Sequence, residues 1–226
     1  HKAIRRQRQM CIRDRDNRIK VCKFDINYFN YSAIVNYGVE CSNGEYIVML
    51  NNDIEFITED WIEQLLMYAQ RPDVGICGAK LYFPDRSIQH AGVTLGTRGL
   101  AGHRCREVQE KDFKKDDYIN IVQDLSAVTA ACFMVRKQLY IDMLGFDEKL
   151  AVAFNDVDFC MKIRTAKYLI VYNPFVEAYH YESKSRGEDT ENTEKQKRFA
   201  KEYELFVKRW SKVIAKGDPY YNPNLT

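Results

Sequence analysis

No run of about 18 apolar residues occurs in this chain, so no segment is expected to cross a membrane as a helix. No apolar stretch follows the charged start either, and no secretory leader is expected there. The seven cysteines (Cys11, Cys22, Cys41, Cys77, Cys105, Cys132 and Cys160) are odd in number and never fall in C-x-x-C spacing. That excludes a metal finger and argues against a disulfide framework. Most stand among apolar neighbours, Cys77 in VGICGA and Cys132 in AACFMV, so they are expected to be reduced core residues in a cytoplasmic setting. A glycine-rich phosphate loop, a serine–histidine–aspartate order with a nucleophile elbow and an H-E-x-x-H helix are all missing. So are internal repeats and low-complexity segments.

What is present suits one ordinary domain. The 226 residues are 46% hydrophobic and 13% aromatic, enough to bury a core. The net charge of +2 conceals an asymmetry. Residues 1–20 carry eight Lys/Arg and two Asp, a local charge of +6, which leaves −4 on the remainder. A basic arm on an acidic body can signal nucleic-acid or anionic-membrane contact. This arm has no apolar periodicity and the body has no basic stripe. Residues 1–24 are therefore expected to lie outside the fold and 25–226 to form the domain, with no nucleic-acid partner.

Strands and helices interleave along the body. Tyr46 to Leu50 read as a buried strand after Asn43-Gly44, and Asn51-Asn52-Asp53-Ile54-Glu55 as the polar turn that stops it. A helix should follow, capped by Thr58, with Trp61, Ile62, Leu65, Leu66 and Ala69 on its apolar face. Further strands are expected at Val74 to Phe83, Ile88 to Leu95, Val128 to Val135, Tyr168 to Tyr172 and Val176 to His180. Helices are expected from Lys137 to Leu144 and from Asp156 to Ala166. From about Glu191 to Lys216, Phe199, Tyr203, Phe206 and Trp210 recur at four, three and four residues, the mark of an amphipathic helix packing on the body. The pattern predicts an α/β fold, a sheet with helices on its faces. Ligands of such sheets bind outside the carboxyl ends of the strands.

Three strand ends carry suitable chemistry. Asp53, beside the amides of Asn51 and Asn52, suits a hard cation such as Mg²⁺ or Mn²⁺ that shares its oxygen ligands with substrate phosphates. A polar turn reads the same way. Asp156 and Asp158, in Phe154-Asn155-Asp156-Val157-Asp158, open a helix, where the dipole favours negative charge. Asp156 can act as a base if it reaches a hydroxyl, although capping explains the pattern equally well. His180 ends the strand VEAYH, followed by Ser183, Ser185 and Arg186, and can ligate a metal through neutral imidazole or serve structurally.

Together these segments make the sequence resemble the family 2 glycosyltransferases of GT-A fold, in particular their bacterial rhamnosyltransferase-like branch. The resemblance is carried in order by FNYSAIVNYG, GEYIVMLNNDIE, SIQHAGVTLG with GLAGH, AVTAACFMVRK, GFDE, NDVDFCMKIR and YHYESKSRG. It runs from about Phe29 to the closing GDPYYNPNLT. It implies that Asp53, in the position of the family's D-x-D motif, holds a divalent metal (Mn or Mg) on the donor's pyrophosphate. Asn51 replaces the first acidic position and leaves one charge fewer there. His180 falls on the family's histidine near the metal, and Arg186 in a segment that closes over the donor. Asn51, Asn52 and Arg186 then contact the donor, while Asn155, Asp158, Ala130 and Ala131 lie on the acceptor side. Asp156 takes the place of the base that removes the proton from the acceptor hydroxyl.

The implied reaction is an inverting transfer from a nucleotide-diphosphate sugar to a saccharide or lipid-linked acceptor in surface polysaccharide synthesis. It would take place in the cytoplasm, and peripheral contact with the inner face of the cell membrane is compatible with it. One departure stands out. The family opens with strand–helix units that hold the nucleotide, and only about 28 residues precede Phe29, so these units are expected to be missing. Two rival readings follow: a non-catalytic remnant serving as an interaction module, and a metal-dependent phosphohydrolase using Asp53, Asp156 and Asp158.

Overall fold

The computed structural model describes residues 18–25, 28–96, 100–114, 117–181, 193–222 and 224. In chain order its regular elements are α1 (Tyr31–Cys41), β1 (Tyr46–Leu50), β2 (Ile54–Phe56), α2 (Trp61–Ala69), β3 (Val74–Tyr82), β4 (Ile88–His90), β5 (Val93–Leu95) and β6 (Ala101–His103). They continue with β7 (Gln123–Asp124), β8 (Cys132–Arg136), α3 (Lys137–Asp142), α4 (Asn155–Thr165), β9 (Leu169–His180) and α5 (Thr193–Ile214). Two short 3-10 turns, Glu110–Asp112 and Tyr118–Asn120, interrupt the long connection between β6 and β7.

The main sheet is mixed, with strand order β1-β8-β3-β9-β2, β4 added on β3 and β7 on β9. β8 runs antiparallel to both β1 and β3, whereas β3 and β9 run parallel. Central β3 is buried along its whole length, which its uninterrupted run VGICGAKLY allows. α2 presses Leu65 and Ala69 onto one face, against Cys77, Ala79, Leu81, Cys132 and Met134. Complete burial of a leucine such as Leu65 contributes about 2 kcal/mol. The other face is covered by α3, α4 and α5. There Phe159 lies 4.9 Å from Tyr140, 5.4 Å from Phe146 and 6.4 Å from Phe133, ring centre to ring centre. The α/β expectation therefore holds, with helices on both faces of one sheet.

Several local readings change. Thr58 does not cap α2. Its hydroxyl donates to the carbonyl of Phe175 (2.8 Å) and accepts from the N–H of Glu177 (2.9 Å), closing the β2–β9 edge. The turn expected after β1 contains β2, paired with β9 from Ile54↔His180 to Phe56↔Ala178. Ile88 to Leu95 is not one strand, because Gly92 adopts φ +93°, a backbone shape that side chains disfavour, and splits it into β4 and β5. Residues 128–131 leave the strand, which begins only at Cys132. Conversely, β9 is one strand of 12 residues where two were expected. Its pairing with β3 jumps from Asn173 to Glu177, so Pro174 owes no hydrogen bond to the ladder.

The described cysteines are all free, and burial pushes the thiols of Cys77, Cys132 and Cys160 up, as expected of inert core residues. Of the stretch expected to lie outside the fold, residues 1–17 are not described. Residues 18–25 have no regular structure but are attached to α1: Phe24 stacks on Tyr37 at 4.8 Å, and the Lys20 ammonium donates to the carbonyl of Cys41.

Candidate active site

β1 and β9 deliver their carboxyl ends to the same edge of the sheet as the amino end of antiparallel β8. The backbone continues both ladders by one step there. Asn51 N–H donates to the carbonyl of Ala131 (3.0 Å), and Tyr181 N–H to that of Asp53 (3.0 Å). Asn51, Asp53, His180, Ala130 and Ala131 are thereby gathered from positions up to 129 residues apart. The same edge receives the amino end of α4, where Asp156 Oδ2 accepts from the N–H of Ala130 (3.2 Å) and Oδ1 from the N–H of Val157 (2.8 Å).

The protonation of His180 follows from its neighbours. Gln89 on β4 donates through Nε2 to the carbonyl of His180 (3.2 Å), which turns its own Oε1 toward Nδ1 of the ring at 2.6 Å. Only a protonated Nδ1 makes that bond, so in the neutral ring the lone pair is on Nε2. Nε2 lies 3.2 Å from Oδ1 of Asp53, a buried oxygen that accepts no hydrogen bond. Two electron-pair donors thus face each other, an arrangement that favours a cation between them. One carboxylate and one imidazole backed by a glutamine fit a divalent ion that takes its remaining ligands from substrate phosphates and water. Among the described residues no group of three His, Cys, Asp or Glu side chains forms an all-protein metal cage.

The other residues expected at the site are placed as follows. Asn51 contributes its whole side chain, with Nδ2 3.2 Å from His180 Nε2 and Oδ1 3.2 Å from the Tyr31 hydroxyl. Asn52 is exposed in the turn. Asn155 is buried beneath the site, its amide donating to the carbonyl of Val152 (3.2 Å) and accepting from the N–H of Asp156 (2.7 Å). Asp158, expected on the acceptor side, has its side chain turned away from that of Asp156. It is fully buried on the far side of α4, where Oδ1 accepts from Arg209 (2.6 Å) and from the indole N–H of Trp210 (2.8 Å). Two helical steps turn a side chain through about 200°, so Asp156 and Asp158 cannot face one ligand. Arg186, Ser183 and Ser185 lie outside the described residues.

Two residues with no assigned role complete the site. Gln89 orients His180. Tyr31, first residue of α1, brings its hydroxyl to Asn51 Oδ1 and, at 3.4 Å, to the carbonyl of Ala130. Burial, reinforced by Asp156 and Asp53, pushes its phenol up, so it remains a hydrogen-bond donor at ordinary pH. Both lie inside the segments FNYSAIVNYG and SIQHAG, but neither type is a usual metal ligand or base, and that removed the signal. His90, next to Gln89, is fully buried and held neutral by that burial and by nearby His103 and His180. It accepts from the N–H of Thr129 (3.3 Å) and meets His103 at 2.9 Å, which steadies the 128–131 turn from behind.

The loop before α4 is set by α5. Phe154 has φ +62°, an uncommon shape for a residue with a side chain, directly before Asn155 and Asp156. Its ring is enclosed by Phe199, Tyr203 and Phe206. Buried Glu202 accepts from the N–H groups of Val152 (3.2 Å) and Ala153 (2.9 Å). The turn that carries Asp156 is thus clamped from the far end of the chain.

Comparison with known proteins supplies the family context. The family model described as glycosyl transferase family 2 matches residues 3–144, a range that begins upstream of Phe29 and ends before Asp156. An uncharacterized protein of Sinorhizobium fredii is 44% identical over 212 residues, covering 93% of this chain and 23% of that protein. An O-antigen biosynthesis protein of Myxococcus xanthus is 34% identical over 200 residues, covering 88% of this chain and 15% of that one. The chain thus spans less than a quarter of the length of either relative. Among solved structures, GalNAc-T7 with UDP, GalNAc and Mn²⁺ aligns with a TM-score of 0.67 at 12% identity, over 93% of this chain and 41% of that chain. That likeness is one of fold.

Proposed function

The chain belongs to glycosyl transferase family 2, and on that premise we propose that it carries the cation-binding and base-bearing part of a sugar-transfer centre. The donor is a nucleotide-diphosphate sugar and the acceptor a hydroxyl of a saccharide or lipid-linked saccharide, in the synthesis of a surface polysaccharide. The observation that carries this reading is the meeting of Asp53, His180 and Asp156 around one Tyr31–Asn51–Ala130 seam, with the Asp53 oxygen left without a hydrogen bond.

In this reading Asp53 Oδ1 and His180 Nε2 hold a divalent cation, Mn²⁺ or Mg²⁺, and Gln89 keeps the histidine lone pair directed at it. The cation's chemistry is to offset the negative charge that grows on the leaving diphosphate. Asp156 receives the acceptor's proton. Its two backbone N–H bonds hold the carboxylate in place, beside the turn where the acceptor hydroxyl would lie. The hydroxyl oxygen, as it loses that proton, bonds to the anomeric carbon while the bond from that carbon to the diphosphate oxygen breaks on the opposite face. One displacement of this kind inverts the configuration. Asn51 and Asn52, with Arg186, serve the donor, and Ala130, Ala131 and Asn155 the acceptor side. The site works in the cytoplasm, at the inner face of the membrane when its acceptor is lipid-linked.

Phosphohydrolysis by two metals is disfavoured because Asp158, needed for clustered carboxylates, is bound to Arg209 and Trp210. Calorimetric titration with UDP-, dTDP- and GDP-sugars in the presence of Mn²⁺ tests the proposal. Metal-dependent binding of one of them, followed by transfer to an added saccharide acceptor, is the expected result. Absence of binding to any of the three would identify a non-catalytic interaction module, and hydrolysis without acceptor a phosphohydrolase.

A further inference from the structure

Tyr31 touches both halves of the site. Its backbone N–H donates to the carbonyl of Ala151 (2.8 Å), and the cap of its helix is tied to the same loop: Asn30 donates to the carbonyl of Glu148 (2.9 Å) and Ser32 to that of Leu150. The hydroxyl is therefore delivered to a set position, 3.2 Å from Asn51 Oδ1 and 3.4 Å from the carbonyl oxygen of Ala130. It has a single hydrogen to share between them.

The direction of every bond in the chain that follows is determined. Gln89 fixes the proton of His180 on Nδ1, so Nε2 offers a lone pair. The Asn51 side chain must then point its NH₂ group at Nε2, and its carbonyl oxygen at Tyr31. The amide hydrogen of Asn51 thus occupies the same lone pair that, beside Asp53 Oδ1, would bind a cation. One lone pair cannot serve both.

We propose that Tyr31 is a positioning residue that sets the site's affinity for its cation, by holding the Asn51 amide on the His180 lone pair. Cation entry has to turn that amide off Nε2, and the Tyr31 hydroxyl opposes the turn. Once released from Asn51, the hydroxyl keeps Ala130 as its acceptor, the residue whose N–H holds Asp156. Cation occupancy is thereby linked to the wall beside the base. The inference rests on the reading of Asp53 and His180 as the cation's ligands.

The test uses Mn²⁺ alone, titrated calorimetrically and by the electron-spin signal of free Mn²⁺, so no substrate is needed. Tyr31→Phe keeps the ring and removes the competing hydrogen bond, so Mn²⁺ should bind roughly fivefold more tightly, the weight of one neutral hydrogen bond. Asn51→Ala removes the amide and should also tighten binding. In the Asn51→Ala background, adding Tyr31→Phe should change the dissociation constant less than about twofold, because Tyr31 acts only through Asn51. Unchanged binding in Tyr31→Phe, weaker binding in Asn51→Ala, or a Tyr31→Phe effect that persists without Asn51 would each overturn the inference. Should Tyr31→Phe lose its melting transition, Asn51→Ala decides alone. If Asp53→Ala binds Mn²⁺ as well as the parent chain, the ligand assignment itself falls and the inference falls with it.

Discussion

Nδ1 of His180 lies 2.6 Å from Oε1 of Gln89, and that bond joins β9 to β4 across 91 residues of sequence. It determines which ring nitrogen carries the proton, and so which atom can bind a cation beside Asp53. Replacing Gln89 by Leu frees the ring to rotate and to change tautomer. Mn²⁺ affinity is expected to fall about tenfold, and the buried Nδ1–H and carbonyl of His180, left without Gln89, to cost about 1–3 kcal/mol of stability. A variant that binds Mn²⁺ as the parent does would remove Gln89 from the site.

Asp156→Asn keeps the shape and the contact with Ala130 N–H but removes the carboxylate proposed to receive the acceptor's proton. Transfer should drop by at least two orders of magnitude, while nucleotide-sugar and Mn²⁺ binding stay within about twofold of the parent values. Normal turnover in this variant would end the assignment of Asp156 as base.

Glu202 concerns the loop rather than the chemistry. Its carboxylate accepts two consecutive backbone N–H groups and keeps Phe154 in its left-handed shape. In Glu202→Gln one of those N–H groups meets an amide NH₂ instead of an oxygen. A loss of about 1–3 kcal/mol in unfolding free energy is expected from denaturant titration. Transfer should fall while Mn²⁺ binding at the proposed ligands Asp53 and His180 is retained. An equal loss of both would show that Glu202 supports the whole fold and not this loop.

Acid should loosen the α5 clamp. Burial alone would raise the Asp147 carboxyl, but Arg209 at 2.6 Å, with the backbone N–H of Lys149, outweighs it and holds the group below its ordinary value of 3.8. A lowered folded value means that this stabilisation is fully present above about pH 4 and is lost as pH falls through the folded value. Since the pair is partly exposed, its weight is at most about 1 kcal/mol. Asp147→Asn should therefore be less stable than the parent at pH 7, and the gap should close toward pH 2. Tryptophan fluorescence, from Trp61 and from Trp210, which touches Asp158 on α4, gives the unfolding curves. A gap that persists to pH 2 would assign the effect to lost packing rather than to the charge.

How much of this was legible in order of residues alone differs from element to element. Tyr46 to Leu50 was readable as a strand because an apolar run bounded by turn residues carries its own signal, and it forms over those same residues. The polar groups of Asp53, Asp156 and His180 were readable because each follows or precedes such an element. Thr58 was misread for a physical reason: a hydroxyl near a helix start is a good cap, but the edge of β9 offered it a donor and an acceptor together. Helical geometry alone would have separated Asp158 from Asp156.

Sequence by itself determined the family, the α/β layout and the three candidate groups, because hydrophobic periodicity and short motifs are local properties of the chain. Tertiary structure alone decided which groups meet. The Tyr31–Asn51 contact spans 20 residues, Gln89–His180 spans 91, and Arg209–Asp158 spans 51. Each depends on a distance and a hydrogen-bond direction that exist only once the sheet has assembled in the order β1-β8-β3-β9, with β4 and the helices packed against it. The proton on His180 belongs to that second class. Nothing in the residues around position 180 places it on Nδ1; a glutamine from another strand does.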